Sequence, residues 1–264
     1  MSKIITLREA VELVRPGDIL ALGGMTLYRR PVAFVRELLR QRVGELTLLE
    51  LTGGFESDLL VGAGLVRRVR TCYFGLETFG LAPMFTRLAS SGGLEVVEET
   101  EATIAFGLRA TLAGVGFMPG QGLLGTDILA VRPDIELVTC PYTKRQLVAF
   151  PALRPDVAVV HCQIADRNGN ARLLGNKAID RDIALTANRM VLTAERIVDS
   201  PADLGGEIDL LGARVTAVVE APGGAKPTSC FPLYPLASLE ILDYVLACQR
   251  EDFPGYLERF LGSD

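Results

Sequence analysis

The apolar run Ile19-Leu20-Ala21-Leu22 ends in Gly23-Gly24. Glycines in that place let backbone N–H groups approach a ligand oxygen with no Cβ in the way. A strand-ending turn with no ligand role is the plain alternative, because glycine is also the default residue for positive φ. Arg29 and Arg30 follow in the same turn. Each guanidinium can grip a carboxylate or phosphate through paired hydrogen bonds, or settle for a salt bridge at the rim. His161, the one histidine, closes a very apolar stretch with no acid at a spacing that suggests a triad, so a structural or supporting role is expected of it. Glu77, just past an expected strand, reads as a surface glutamate.

Cysteines stand at 72, 140, 162, 230 and 248. They form no C-x-x-C pair and have one histidine to join them, so no metal site is expected, and reduced thiols of a cytoplasmic protein fit best. None has sequence neighbours that would lower its pKa, which argues against a reactive thiol. Across 264 residues, 27 Lys and Arg are interspersed with 32 Asp and Glu for a net charge of −5, which offers no broad positive field for nucleic acid. Neither a signal-peptide h-region at Met1-Ser2-Lys3 nor a membrane-length apolar stretch is present in the sequence.

The elements that must position these residues alternate. Thr6-Leu7-Arg8-Glu9 reads as a capping box opening a short helix, which Pro16-Gly17-Asp18 stops. Residues 19–22 are too short for a helix but suit a strand buried on both faces. Pro31 is placed to start a helix whose buried stripe is Val32, Val35, Leu38 and Leu39. Strands are expected at 46–51, 69–74, 94–98, 155–163, 189–194 and 214–219, several of them ending in glycine. Thr100 or a neighbour is expected to cap a helix running through Ile104, Leu108 and Leu112, with Glu101 at its start. Residues 114–142 read as a Gly- and Pro-rich loop, a wall for a site rather than core. Asn168-Gly169 marks a β-hairpin turn, and helices close the chain near 239–248 and 254–261. Strand–turn–helix repetition predicts an α/β fold, a mainly parallel open sheet with flanking helices and a ligand beyond the carboxyl ends of its strands. One domain over 1–264 is expected, with no repeat and no linker.

The segment from Pro16 to Pro31, with Gly23-Gly24-Met25-Thr26 at its centre, resembles the N-terminal signature of family I coenzyme A transferases, most of all A subunits of the glutaconate type. The wider family commonly has Gly-Gly-Phe and a Gly two residues before the Pro; here Met25 and Arg29 take those places. Two further blocks are similar to the same polypeptide: Asp156 to Gln163 with its Gly169 turn, and Ala221 to Cys230. The resemblance spans residues 6 to about 250. It implies the fold shared by NagB, RpiA and CoA-transferases, a B-type partner chain with the active site between the two, and coenzyme A or acyl-CoA as substrate with no permanently bound cofactor. It also implies a nucleophilic glutamate in a Ser-Glu-Asn-Gly-like context on the partner; this chain has no Glu-Asn-Gly.

On that footing Gly23, Gly24 and the Met25 N–H are expected to build an oxyanion or carboxylate pocket, with Arg29 and Arg30 as further substrate contacts. The stretch from Leu94 to Glu101 also resembles the A-type chain of cholesterol-ring-cleaving CoA hydrolases, where Glu101 matches a functional glutamate. A carboxylate there could act as a base on water or on an acidic carbon beside a thioester, if burial lifts its pKa; a solvated helix-start glutamate is the other reading. The leading expectation is thus the A-type chain of a heteromeric CoA-transferase acting on small carboxylic acids, dicarboxylic ones included. The alternatives are a hydrolase, ring-opening enzyme or decarboxylase using Glu101, and a non-catalytic ligand sensor.

Overall fold

A computed structural model describes residues 3–262. Met1, Ser2, Ser263 and Asp264, the ends of the expected 1–264 unit, lie outside the described residues. The first half alternates as its sequence does: α1 (Leu7–Val11), β1 (Ile19–Leu22), α2 (Val32–Gln41), β2 (Leu46–Gly53), α3 (Phe55–Gly62), β3 (Val66–Phe74), α4 (Pro83–Ser90), β4 (Glu95–Glu98) and α5 (Glu101–Ala113). A smaller antiparallel group follows, β5 (Phe117–Gly120), α6 (Ile128–Val131), β6 (Glu136–Thr139) and β7 (Gln146–Pro151). The chain then returns with β8 (Val157–Cys162), β9 (Ile164–Asp166), β10 (Ala171–Arg172), α7 (Asp180–Thr186), β11 (Arg189–Ala194), β12 (Ile197–Val198), β13 (Ala217–Glu220), α8 (Ser238–Gln249) and α9 (Phe253–Gly262).

Seven strands form one sheet in the order β13-β11-β8-β1-β2-β3-β4, every neighbouring pair parallel. β1 lies at its centre, with Leu20 opposite Leu48 on one side and Val157 on the other. Burial on both faces explains why the central strands β1 and β8 read as nearly unbroken apolar runs. Leu20, Leu22, Leu48, Val157 and Val159 face a core packed by α1, α2, α3, α8 and α9, whereas Ala21, Leu49, Ala158, Val160 and Cys162 face a second core under α5 and α7. Both faces are covered, so neither set can be polar.

Local chemistry fixes the helix starts. Thr6 and Glu9 form the reciprocal capping box, and Thr100 does the same with Thr103 at the head of α5. Pro31 is the N-cap of α2 and Val32 its first helical residue, and Arg42 ends the helix in a left-handed conformation. The helix expected through Ile104, Leu108 and Leu112 is α5, with Ile104, Gly107 and Leu108 buried and Leu112 53% exposed. The larger correction concerns 114–142. Its glycines and prolines suggested loop, but β5 and β6 both pair with β7 in an antiparallel sheet that buries Val148, Phe150 and Ile135. The expected hairpin is present as β9 and β10 around Gly169, whose φ is 90°. Among the described residues, no helix is long and apolar enough to cross a membrane.

Candidate functional site

The three sequence blocks that carried the resemblance meet beyond the carboxyl end of β1. The Gly23 N–H donates to Val159 O of β8 at 2.8 Å. Arg29 Nη1 donates to His161 O at 2.8 Å, and the Arg29 N–H donates to Ser229 O at 2.7 Å. Gly224 O accepts the Ala33 N–H at the start of α2 (2.8 Å). The turn at the centre is sharp: Gly24, Thr26 and Arg29 all have positive φ, at 83°, 44° and 54°. A Cβ on Gly24 would lie 2.5 Å from Arg29 O, so only glycine fits there without displacing backbone.

The expected oxyanion donors are all engaged inside the protein. Gly23 serves Val159, the Gly24 N–H donates to Asp180 Oδ1 (2.8 Å), and the Met25 N–H donates to Tyr28 O (2.9 Å). These amides therefore shape the turn, and a ligand that needed them would have to replace bonds already made. Met25 reaches the site by its side chain. It lines two open grooves, one of about 580 Å³ with Leu27, Tyr28, Glu77, Asn176 and Phe231, the other of about 520 Å³ with Thr26, Cys72, Glu77, Glu99 and Glu101. Glu77 and Glu101, both exposed, thus share a groove with Met25 at the carboxyl end of the sheet. Glu99 there is buried and already held by Arg70 (2.5 Å) and Arg132 (2.8 Å). Burial, and then the Glu101 carboxylate, raise the Cys72 pKa, and the thiol lies 2.8 Å from Leu51 O as a donor.

Arg29 and Arg30, expected as ligand contacts or rim ion pairs, are instead fully buried. Their neighbours leave no other outcome: an unpaired guanidinium in the interior would be prohibitively costly, and each finds carboxylates. Arg29 pairs with Asp180 at 2.5 Å, also fully buried. Burial works against its charge, yet Asp180 more than offsets it and the pKa lies above the usual value. Arg30 points to the other side, pairing with Glu50 and Glu56 and donating to Thr52 O at 3.1 Å. Burial lifts the Glu50 carboxyl to about 7 against the pull of Arg30, with Glu56 adding to the rise.

His161 is fully buried and paired on both ring nitrogens: Nδ1 lies 2.9 Å from Thr193 Oγ1 and Nε2 lies 2.8 Å from Glu195 Oε1. Burial lowers its pKa. Glu195 also accepts the Tyr234 hydroxyl and the Gly223 N–H (2.7 Å), so this network ties β8 and β11 to the 221–234 loop. Cys230 brings a third donor within 4.8 Å of the histidine and glutamate, a set that could in principle hold a metal ion. Its thiol, however, is pushed up to about 12 by burial and Glu195, and the other two groups are bonded to each other. Asp180, Glu195, Tyr234, Glu50 and Glu56 were not singled out from sequence; each acts on a partner distant along the chain, and only the fold reveals the pairing.

A model of the family described as coenzyme A transferase matches residues 4–221. This chain belongs to the coenzyme A transferase family. It is 34% identical to the A-type chain of the 3-oxoadipate CoA-transferase of Pseudomonas knackmussii, over 99% of this chain and 94% of that one. It is 35% identical to the IpdA chain of the cholesterol ring-cleaving hydrolase of Mycobacterium tuberculosis, over 88% of this chain and 83% of that one. The crystal structure of glutaconate coenzyme A-transferase from Acidaminococcus fermentans superposes with a TM-score of 0.91 at 30% identity, covering 98% of this chain and 88% of that one. For a coenzyme A transferase, the all-parallel sheet with its grooves at the carboxyl end is the expected architecture, and the glutaconate resemblance read from 16–31 agrees with the structural match.

Proposed function

We propose that this chain is the A-type half of a two-chain CoA-transferase that moves CoA between small carboxylic acids, and that it forms one A-type unit over 1–264. Its grooves beside Met25 take the acyl thioester, while a B-type partner supplies the nucleophilic glutamate. The observation that carries this reading is the pair of adjoining open grooves lined by Met25 and Glu77, in a chain whose turn amides are already spent. Such a chain contributes walls, and the partner contributes the reacting group. The chemistry suits a carboxylate: it attacks the thioester carbonyl, expels CoA thiolate and becomes a mixed anhydride. The thiolate then attacks the enzyme-side carbonyl of the anhydride, releasing the first acid and leaving CoA on the enzyme as a thioester. An acceptor carboxylate reverses the sequence. CoA is substrate throughout, with no permanently bound cofactor, and the cytoplasm is its place of action. Within this scheme Gly23 and Gly24 shape the turn, and Arg29 and Arg30 anchor it from inside.

The test is to purify this chain with and without a candidate B-type chain and to follow CoA exchange between acyl donors. Exchange only in the complex, with a CoA thioester detected by mass on the partner's glutamate, is expected. Full-rate exchange by this chain alone would overturn the reading.

One observation favours a second reading, a hydrolase, ring-opening enzyme or decarboxylase of the same fold. The exposed Glu101 carboxylate lines the same groove as Met25 and Glu77, where a base would meet a bound thioester, though without the burial that the sequence reading asked of it. Replacing it by glutamine separates the two.

A further inference from the structure

Asp180 lines neither groove beside Met25, yet it holds the turn that forms them. We infer that Asp180, acting with Arg29, is a positioning residue that sets where Met25 stands; the inference rests on the proposed function. Its carboxylate divides its oxygens between two tasks. Oδ1 accepts the Gly24 N–H at 2.8 Å, and Oδ2 pairs with Arg29 Nη2 at 2.5 Å. Arg29 passes the constraint on, donating through Nη1 to His161 O and through Nη2 to Asn176 O, both at 2.8 Å. Asn176 in turn places its Nδ2 2.8 Å from Met25 Sδ. One buried carboxylate at the head of α7 therefore ties both walls of the larger groove, the Met25 turn and the Asn176 loop, to the end of β8.

Two features of the turn mark this as more than charge neutralisation. Thr26 and Arg29 hold left-handed backbone without being glycine, a conformation that persists only where the surroundings over-determine it and that gathers at functional sites. In addition, a Cβ on Gly23 would sit 2.5 Å from Asp180 Oδ1, so the missing side chain makes room for that oxygen.

The experiment uses the two-chain complex and two variants. Asp180→Asn keeps an acceptor for Gly24 but cannot neutralise Arg29; the double variant Arg29→Met with Asp180→Ala removes both charges and leaves Gly24 without an acceptor. The double variant, which leaves no buried charge unpaired, is expected to assemble and to bind acyl-CoA within about threefold of wild type, while kcat for CoA exchange falls about thirtyfold or more. Asp180→Asn, which leaves the buried guanidinium without a counter-ion, is expected to lower the melting temperature of the complex as well as kcat. Amide hydrogen exchange over residues 24–29 should quicken at least about tenfold in the double variant, with β1 unchanged. A purely electrostatic role would be restored by removing both charges, so wild-type kcat in the double variant overturns the inference. Unchanged exchange at the turn overturns it too, and does so even if the wild-type complex transfers no CoA, a result that would instead sink the functional reading.

Discussion

Met25 and Glu77 are the two residues that line both grooves at the carboxyl end of the sheet. A thioether and an exposed carboxylate thus stand where the two spaces adjoin, so bulk added at position 25 should obstruct both at once. Met25→Trp is expected to raise KM for acyl-CoA about tenfold or more while leaving the melting temperature near that of the parent, because Met25 is only half-buried. Steady-state kinetics of the assembled complex, beside a thermal melt, would check it.

Glu101 decides between transfer and hydrolysis. For a transferase, Glu101→Gln should leave CoA exchange within about threefold, since the nucleophile is elsewhere. A loss of roughly a hundredfold or more in turnover, with assembly intact on gel filtration, would instead make this carboxylate the base.

Gly24→Ala should be among the most damaging single-atom changes in the molecule. It forces a side chain into φ 83° and sets the new carbon against Arg29 O. A loss of roughly 1–3 kcal/mol is expected, read from the denaturant midpoint.

The pair of acids around Arg30 predicts a pH dependence of stability. Buried Glu50 is lifted from 4.5 to about 7, so in the intervening range the folded protein keeps a proton that the unfolded chain has released. Stability therefore falls as pH climbs through that window and levels above it, a change on the order of 3 kcal/mol. Asp58, lifted by burial from 3.8 to about 6, adds in the same direction. Glu50→Gln should flatten the decline between about pH 5 and about pH 7, measured by urea unfolding at several pH values.

The sheet was legible because its central strands are buried on both faces, and Ile19 to Leu22 or Val157 to Cys162 can be nothing else at that length and apolarity. The turn at Gly23-Gly24 was legible as a turn. What it does with its amides was not, since the acceptor for Gly24 lies 156 residues away on α7. The same holds for His161, whose acid partner is 34 residues distant, just past the end of β11. Arg29 and Arg30 looked like ligand contacts because charge in a loop ordinarily faces water; burial by α3 and α7 reversed that. Residues 114–142 misled for a different reason. Their short strands pair only with β7, and exposed residues such as Phe117 and Leu137 leave little periodicity to read.

Arg29 and Arg30 are adjacent, yet one reaches Asp180 on α7 and the other Glu56 on α3, on opposite sides of the sheet. Loops usually tolerate gained or lost residues. Here a shift of a single position would deliver each guanidinium to the wrong layer and strand three carboxylates without a counter-ion. The loop between β1 and α2 therefore admits an exchange of side chains far more readily than a change of length.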